Sequence, residues 1–161
     1  EAAYLYSISL YKESPNSNLD QSSTIEAISA IQNFINKYPY SDYSFEANKI
    51  IDELQVKLET KNFDNAKQYY KTRNYKSAII ALDNFENDFP DSSFNEEGAY
   101  LRILSQYLIS INSFEDLQEK RFKETIEFYL KFVDKYPTSP FLAEAEKMYV
   151  ESLNLLTKFA E

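Results

Sequence analysis

The chain has 161 residues, 43% of them hydrophobic and 27% charged, a size and balance suited to one folded domain with a sizeable core. A net charge of −9 disfavours a nucleic-acid backbone as a partner. The absence of Cys and His removes disulfides, the usual transition-metal sites and His- or Cys-based nucleophilic catalysis, and one Gly cannot supply a phosphate-cradling loop or the turns of a β-rich fold.

The first residues read as helix, and Glu1-Ala2-Ala3-Tyr4-Leu5 echoes Glu97-Gly98-Ala99-Tyr100-Leu101. The chain therefore starts inside a repeat and is expected to be a fragment of a longer protein. A polar loop is predicted from Glu13 to Ser23. A helix follows with Ile28, Ile31 and Phe34 as its apolar stripe, ended by Pro39, which pushes its predecessor out of the helical region. From Asp42 to Thr72 there is no Pro or Gly, and Ala47, Ile50, Ile51, Leu54, Leu58, Ala66 and Tyr69 keep helical spacing. One long fused helix is expected there, serving two adjacent repeats.

The next stretch carries Ala66, Tyr69, Tyr70, Lys71, Asn74, Tyr75, Ala78, Ile79, Leu82 and Pro90, and it resembles a tetratricopeptide repeat. In that pattern one helix ends on a Tyr pair, a tight turn follows, and Tyr plus Ala opens the second helix. The family often has Gly where this chain has Arg73-Asn74, and Asn is the residue expected to tolerate a left-handed conformation. Glu96-Glu97 then opens a helix, where acids complement the macrodipole. A polar loop is predicted from Asn112 to Lys120, containing Glu115-Asp116. The last helix, Phe141 to Phe159, closes the stack.

Three segments, around Pro39, Pro90 and Pro137, share one punctuation. Phe34, Phe85 and Phe132 lie five before the Pro; Tyr38, Phe89 and Tyr136 precede it; Ser41, Ser92 and Ser139 follow at plus two; Tyr43, Phe94 and Phe141 at plus four. The serines are expected as N-caps or just before them. The aromatics are expected in the core. At plus eight come Ala47, Gly98 and Ala145, small residues suited to a close helix crossing. Upstream, Ile28, Ile79 and Ile126, then Ile31, Leu82 and Tyr129, then the Phe residues form an i, i+3, i+6 stripe, with Ala27, Ala78 and Thr125 one position earlier. The prolines are 51 and 47 residues apart, against about 34 for the simple repeat; the fused helix and the polar insertion account for the excess.

The expected fold is thus all-α: a tetratricopeptide-type α-solenoid of antiparallel helix pairs with one long fused helix, a single domain over residues 1–161 with about three repeats and a closing helix. No catalytic residue, cofactor or metal is assigned, and the acidic pairs read as solvated surface. The candidate partner-binding residues are Tyr70, Arg73, Asn74, Lys120, Arg121 and Lys123. Tyr69 and Tyr70 cannot face the same side of a helix, so one is core and the other lines a groove. Arg73 stands at a turn without a nearby acid on its carboxy-terminal side. Lys120, Arg121 and Lys123 form the tightest basic cluster, a solvated helix start or a contact for an acidic patch or lipid headgroups.

The whole chain is similar to the BamD-type outer-membrane assembly lipoproteins, in the version expected from Bacteroidota-like bacteria. The similarity rests on Tyr38 to Ser41, on Ala66-x-x-Tyr69-Tyr70 with Tyr75-x-x-Ala78, and on Phe89-Pro90-Asp91-Ser92 with Glu96-Glu97. Tyr136-Pro137-Thr138-Ser139 completes it. It implies a non-catalytic scaffold at the periplasmic face of the outer membrane, made of the family's carboxy-terminal repeats and lipid-anchored in the full-length protein. Its implied partners are the periplasmic domains of a BamA-type barrel protein and other assembly lipoproteins, with unfolded outer-membrane proteins received by amino-terminal repeats. A second reading is another periplasmic tetratricopeptide adaptor, such as the Tol–Pal cell-division coordinator; an unrecognised enzyme is a distant third.

Overall fold

The computed structural model describes residues 1–159; Ala160 and Glu161, the end of the expected domain, lie outside the described residues. The elements run in order α1 (Ala2–Glu13), α2 (Ser22–Lys37), α3 (Ser44–Lys71), α4 (Tyr75–Asp88), α5 (Asn95–Ile111), α6 (Glu115–Lys135) and α7 (Leu142–Leu156), closed by a 3-10 turn, Thr157–Phe159. This is an all-α fold of tetratricopeptide type. Helix α3 is unbroken for 28 residues, as the missing breakers require. The chain divides into two compact units, one from Glu1 to Asn62 and one from Phe63 onward, so the boundary falls inside α3.

In the first unit, α1 packs on α2, and α2 on the first half of α3. Ala27, Ile31, Phe34, Ala47, Ile50, Ile51 and Leu54 form the buried core. The expected polar loop lies between α1 and α2. It is held from inside by Ser14 Oγ against Thr24 Oγ1 (2.7 Å), and from α3 by Lys57 Nζ donating to Ser14 Oγ (3.2 Å) and Lys61 Nζ donating to the Asn18 carbonyl (2.9 Å).

In the second unit, Phe63, Ala66, Leu82, Phe85 and Leu101 make one core cluster, and Ala99, Ile103, Tyr129, Phe132, Ala145 and Met148 make another. Helices α5 and α7 also join through polar side chains: Tyr100 donates to Glu144 (2.6 Å) and Tyr107 to Glu151. Burial first, then the carboxylate partner, pushes both phenols up, Tyr107 to about 12. Both stay protonated at neutral pH and act as helix-to-helix struts rather than as nucleophiles.

The three proline turns are one structure used three times. Tyr38, Phe89 and Tyr136 leave the helix with φ near −130°. Their N–H groups donate to Phe34, Phe85 and Phe132, and their carbonyls accept from the Ser41, Ser92 and Ser139 N–H groups. Each Ser Oγ accepts from the N–H two residues on, at 3.2–3.3 Å, so the serines stand just before the helices rather than at the cap. The plus-four aromatics stack on rings two helices before the one they lead into: Tyr43 on Tyr4 of α1, Phe94 on Phe63 of α3 and Phe141 on Tyr100 of α5, with centroids 4.4–4.9 Å apart.

Three expectations need correction. The polar insertion is short: α6 begins at Glu115, so Glu115-Asp116 occupy a helical first turn and only Asn112–Phe114 separate the helices. The buried stripe is not i, i+3, i+6, because Ala27, Ala78 and Thr125 are fully buried while Ile28, Ile79 and Ile126 are half-buried. The true stripe is i, i+4, i+7, which stays on one face at 3.6 residues per turn, whereas i, i+6 drifts by about 120°. Of the first copy's aromatics Phe34 is buried, but Tyr38 and Tyr43 remain 42% and 40% exposed. Ala47, Gly98 and Ala145 are buried as expected. A Cβ on Gly98 would meet Phe63 Cε2 at 3.6 Å and Leu82 Cδ2 at 3.7 Å, which is ordinary contact.

Candidate functional site

Helix α3 ends on Tyr69-Tyr70-Lys71, and the chain must reverse to start α4. The reversal is a Schellman turn: the Asn74 N–H donates to the Tyr69 carbonyl and the Arg73 N–H to the Tyr70 carbonyl, both at 2.9 Å. The motif needs one left-handed residue, and that residue is Arg73 with φ 62°. The expectation that Asn74 takes this role is corrected: its φ is −87°, and it precedes the first residue of α4. An L-residue with a Cβ costs about 1 kcal/mol there relative to Gly. The turn thus carries a guanidinium at a position where the backbone alone would favour Gly.

Tyr70 is the core member of its pair. Its ring packs with the Phe63–Phe85 cluster and lies 6.0 Å from the Tyr75 ring, while Tyr69 is 45% exposed. Burial, with Tyr75 nearby, pushes the Tyr70 phenol up. Arg73 and Asn74 point to a different place. With Tyr75, Lys76, Leu108, Ile109, Asn112 and Arg121 they line a cavity of about 510 Å³ formed by the α3–α4 turn, α5 and α6. Next to it, sharing Lys76, Ile109 and Arg121, a second cavity of about 420 Å³ is walled by Ile79, Ile80, Leu117 and Lys120 with Gln106 and Glu124.

The basic cluster on α6 is split by helical geometry. Arg121 faces the cavity, donating one N–H to Ser113 Oγ while Gln106 binds its carbonyl. Lys120 reaches the adjoining cavity and lies 4.0 Å from Glu124. Lys123 turns away and pairs with Glu119 at 2.6 Å. The cluster lies in the second and third turns of α6, not at its start. Sequence reasoning missed Lys76, Ile80 and Ile109. The available signal was the adjacent pair Ile79-Ile80 on a helix: both cannot be core, and Ile80 is 62% exposed.

What sets the site apart is the convergence of Arg73, Lys76 and Arg121 on one recess. Elsewhere in the unit three cations are paired, Lys67 with Glu97, Arg102 with Asp83 and Glu86, and Lys135 with Glu86, while Lys71, Lys131 and Lys147 stand singly on the surface. Among the described residues no carboxylate pairs with Arg73, Lys76 or Arg121; no acid lines the first cavity, and Glu124 is the one acid lining the second. Three positive side chains beside apolar walls form an anion-attracting recess on a chain of net charge −9. No group of three metal-ligating side chains occurs among the described residues.

Two overlapping stretches, residues 1–69 and 57–159, match the family model described as "Outer membrane lipoprotein" (YfiO). Their overlap lies on α3. No curated protein matches the chain.

Proposed function

The chain belongs to the YfiO family of outer membrane lipoproteins, and from that premise we propose that it is a non-catalytic docking scaffold of the outer-membrane protein assembly machinery. It works at the periplasmic face of the outer membrane, and its partners are the periplasmic domains of a BamA-type barrel protein together with other assembly lipoproteins. The observation that carries this reading is the recess at the α3–α4 turn, where three unpaired cations border apolar walls on rigid helices. Surfaces of this kind steer and orient a partner of opposite charge. Helix pairs in series offer such a partner several loops along one edge.

The test is association of this chain with the purified periplasmic domains of a BamA-type protein, measured by calorimetry at two salt concentrations. Binding that weakens as salt rises supports the reading. No association at any salt, with the fold intact by circular dichroism, overturns it.

A further inference from the structure

The recess and the cavity beside it are continuous, because Lys76, Ile109 and Arg121 belong to both. We propose that together they form a docking groove for an acidic, partly apolar peptide segment of a partner protein. The proposal rests on the scaffold reading above and gives it a partner chemistry and an address.

Charge complementarity selects the sign of the occupant. Four cations, Arg73, Lys76, Lys120 and Arg121, line the groove against one carboxylate, Glu124, which lies 4.0 Å from Lys120 and accepts from Gln106, in a chain with 26 acidic and 17 basic residues. The neighbouring walls select its apolar content: Ile79, Ile109 and Leu117 line the groove, and Ile80 stands exposed at its side. Phe114, 84% exposed, lies one helical turn before Leu117, whose N–H donates to the Phe114 carbonyl. An alternation of carboxylates with apolar side chains matches this lining; a uniformly acidic chain would leave the isoleucines in water. A membrane surface fits less well. Arg73, Lys76 and Lys120 are exposed, but Arg121 is half-buried and tethered to Ser113, so a flat layer of headgroups would leave it and the apolar walls unused. The left-handed Arg73 adds an independent argument: strain kept at an exposed turn marks a side chain retained for what it contacts.

The experiment uses the full 161-residue chain and a fluorescein-labelled amphipathic peptide with Glu on one helical face and Leu on the other, followed by anisotropy. Its charge-inverted counterpart with Lys, and phosphatidylglycerol vesicles, are run beside it. The acidic peptide is expected to bind, to release as salt rises, and to bind about tenfold more weakly to Arg73→Gly and to a Lys76→Gln, Arg121→Gln double variant. Lys123→Gln, outside the groove, should bind like the parent chain. Arg73→Gly keeps the turn by placing its preferred residue there, so loss of binding in that variant cannot come from unfolding. Equal binding of both peptides, binding unchanged in the groove variants, or capture by vesicles alone overturns the proposal. The same variants are tested against the BamA-type domains. Domains that bind parent and groove variants equally would overturn the groove and leave the scaffold reading standing. Peptide binding lost in the variants, with no domain binding to the parent, would uphold the groove and sink the choice of partner.

Discussion

The turns after α4 and α6 lie at one end of the second unit's helices, and the turns after α3 and α5 lie at the other. At the first end the same solution is repeated: a Phe one turn back, an aromatic leaving the helix at φ near −130°, a Pro, and a Ser that orders the next two residues. The Ser hydroxyl and the carbonyl of the residue before Pro bond within the turn, and its rings stack on the core. At the second end nothing repeats. One turn is a Schellman motif with Arg73 in the left-handed position, and the other is the three-residue stretch Asn112–Phe114 with an exposed aromatic. One end is built for packing; the other keeps a left-handed residue, converging cations and exposed apolar surface. On the reading proposed above, stability and recognition belong to opposite ends of the same helices.

The largest expected effect would come from breaking the packing end. Phe85→Ala removes a ring that meets Phe63, Phe89 and Phe94 with centroids 5.1–6.5 Å apart, and should cost about 3–5 kcal/mol by chemical denaturation. A cost below 1 kcal/mol would show that the turn is not built on this ring. Gly98→Leu should cost roughly 1–3 kcal/mol by overpacking against Phe63 and Leu82. Gly98→Ala should be neutral or stabilising by up to about 1 kcal/mol, since its Cβ reaches ordinary contact distance and helix propensity improves. Thermal melts in which Leu is tolerated as well as Ala would refute the crossing.

A third prediction concerns the ion pairs that hold the packing end. Burial pushes the Glu86 carboxyl up, but the Lys135 hydrogen bond and the charges of Arg102 and Lys135 outweigh it and hold the carboxyl below its ordinary range. A depressed folded-state value adds stability above the ordinary carboxylate range, and this is lost as pH falls through the folded value. The melting temperature should therefore fall between pH 5 and pH 3 by more in the parent than in Glu86→Gln; parallel curves would remove Glu86 from the account. The smallest effect belongs to the recognition end. Arg73→Gly should raise stability by about 0.5–1 kcal/mol, because Gly adopts φ 62° without a Cβ clash. Loss of stability would show that the guanidinium has a structural partner and would erase the contrast between the two ends.

Sequence alone determined the helices and most of their limits, because those depend on local physics. Three prolines and four matched positions around each of them ended helices in the same way, and the absence of breakers from Asp42 to Thr72 left one helix. The burial of Ala47, Gly98 and Ala145 was equally legible, since small residues at equivalent places have few other uses. The α6 start was misplaced because Glu115 to Lys120 look polar enough for a loop, yet acids in a first turn are also what a helix favours. The core stripe was misassigned by one position because Ala and Thr carry little hydrophobic signal. Only tertiary packing shows that α5 approaches α4 and α6 closely enough to bury Ala78 and Thr125 completely.

The site was half legible. Arg73, Asn74 and Arg121 were chosen from turn position and charge, and the fold brings them to one cavity. Their partner Lys76 and the apolar walls were not legible, because Lys76 and Arg121 lie 45 positions apart in the chain and only the packing of α4 and α6 on α5 brings them together. The separation of Tyr69 from Tyr70, the turning away of Lys123 and the left-handed state of Arg73 rather than Asn74 were likewise decided in three dimensions. Composition can say that a chain holds a few cations among many acids; which of them remain unpaired depends on where the folded helices carry the carboxylates.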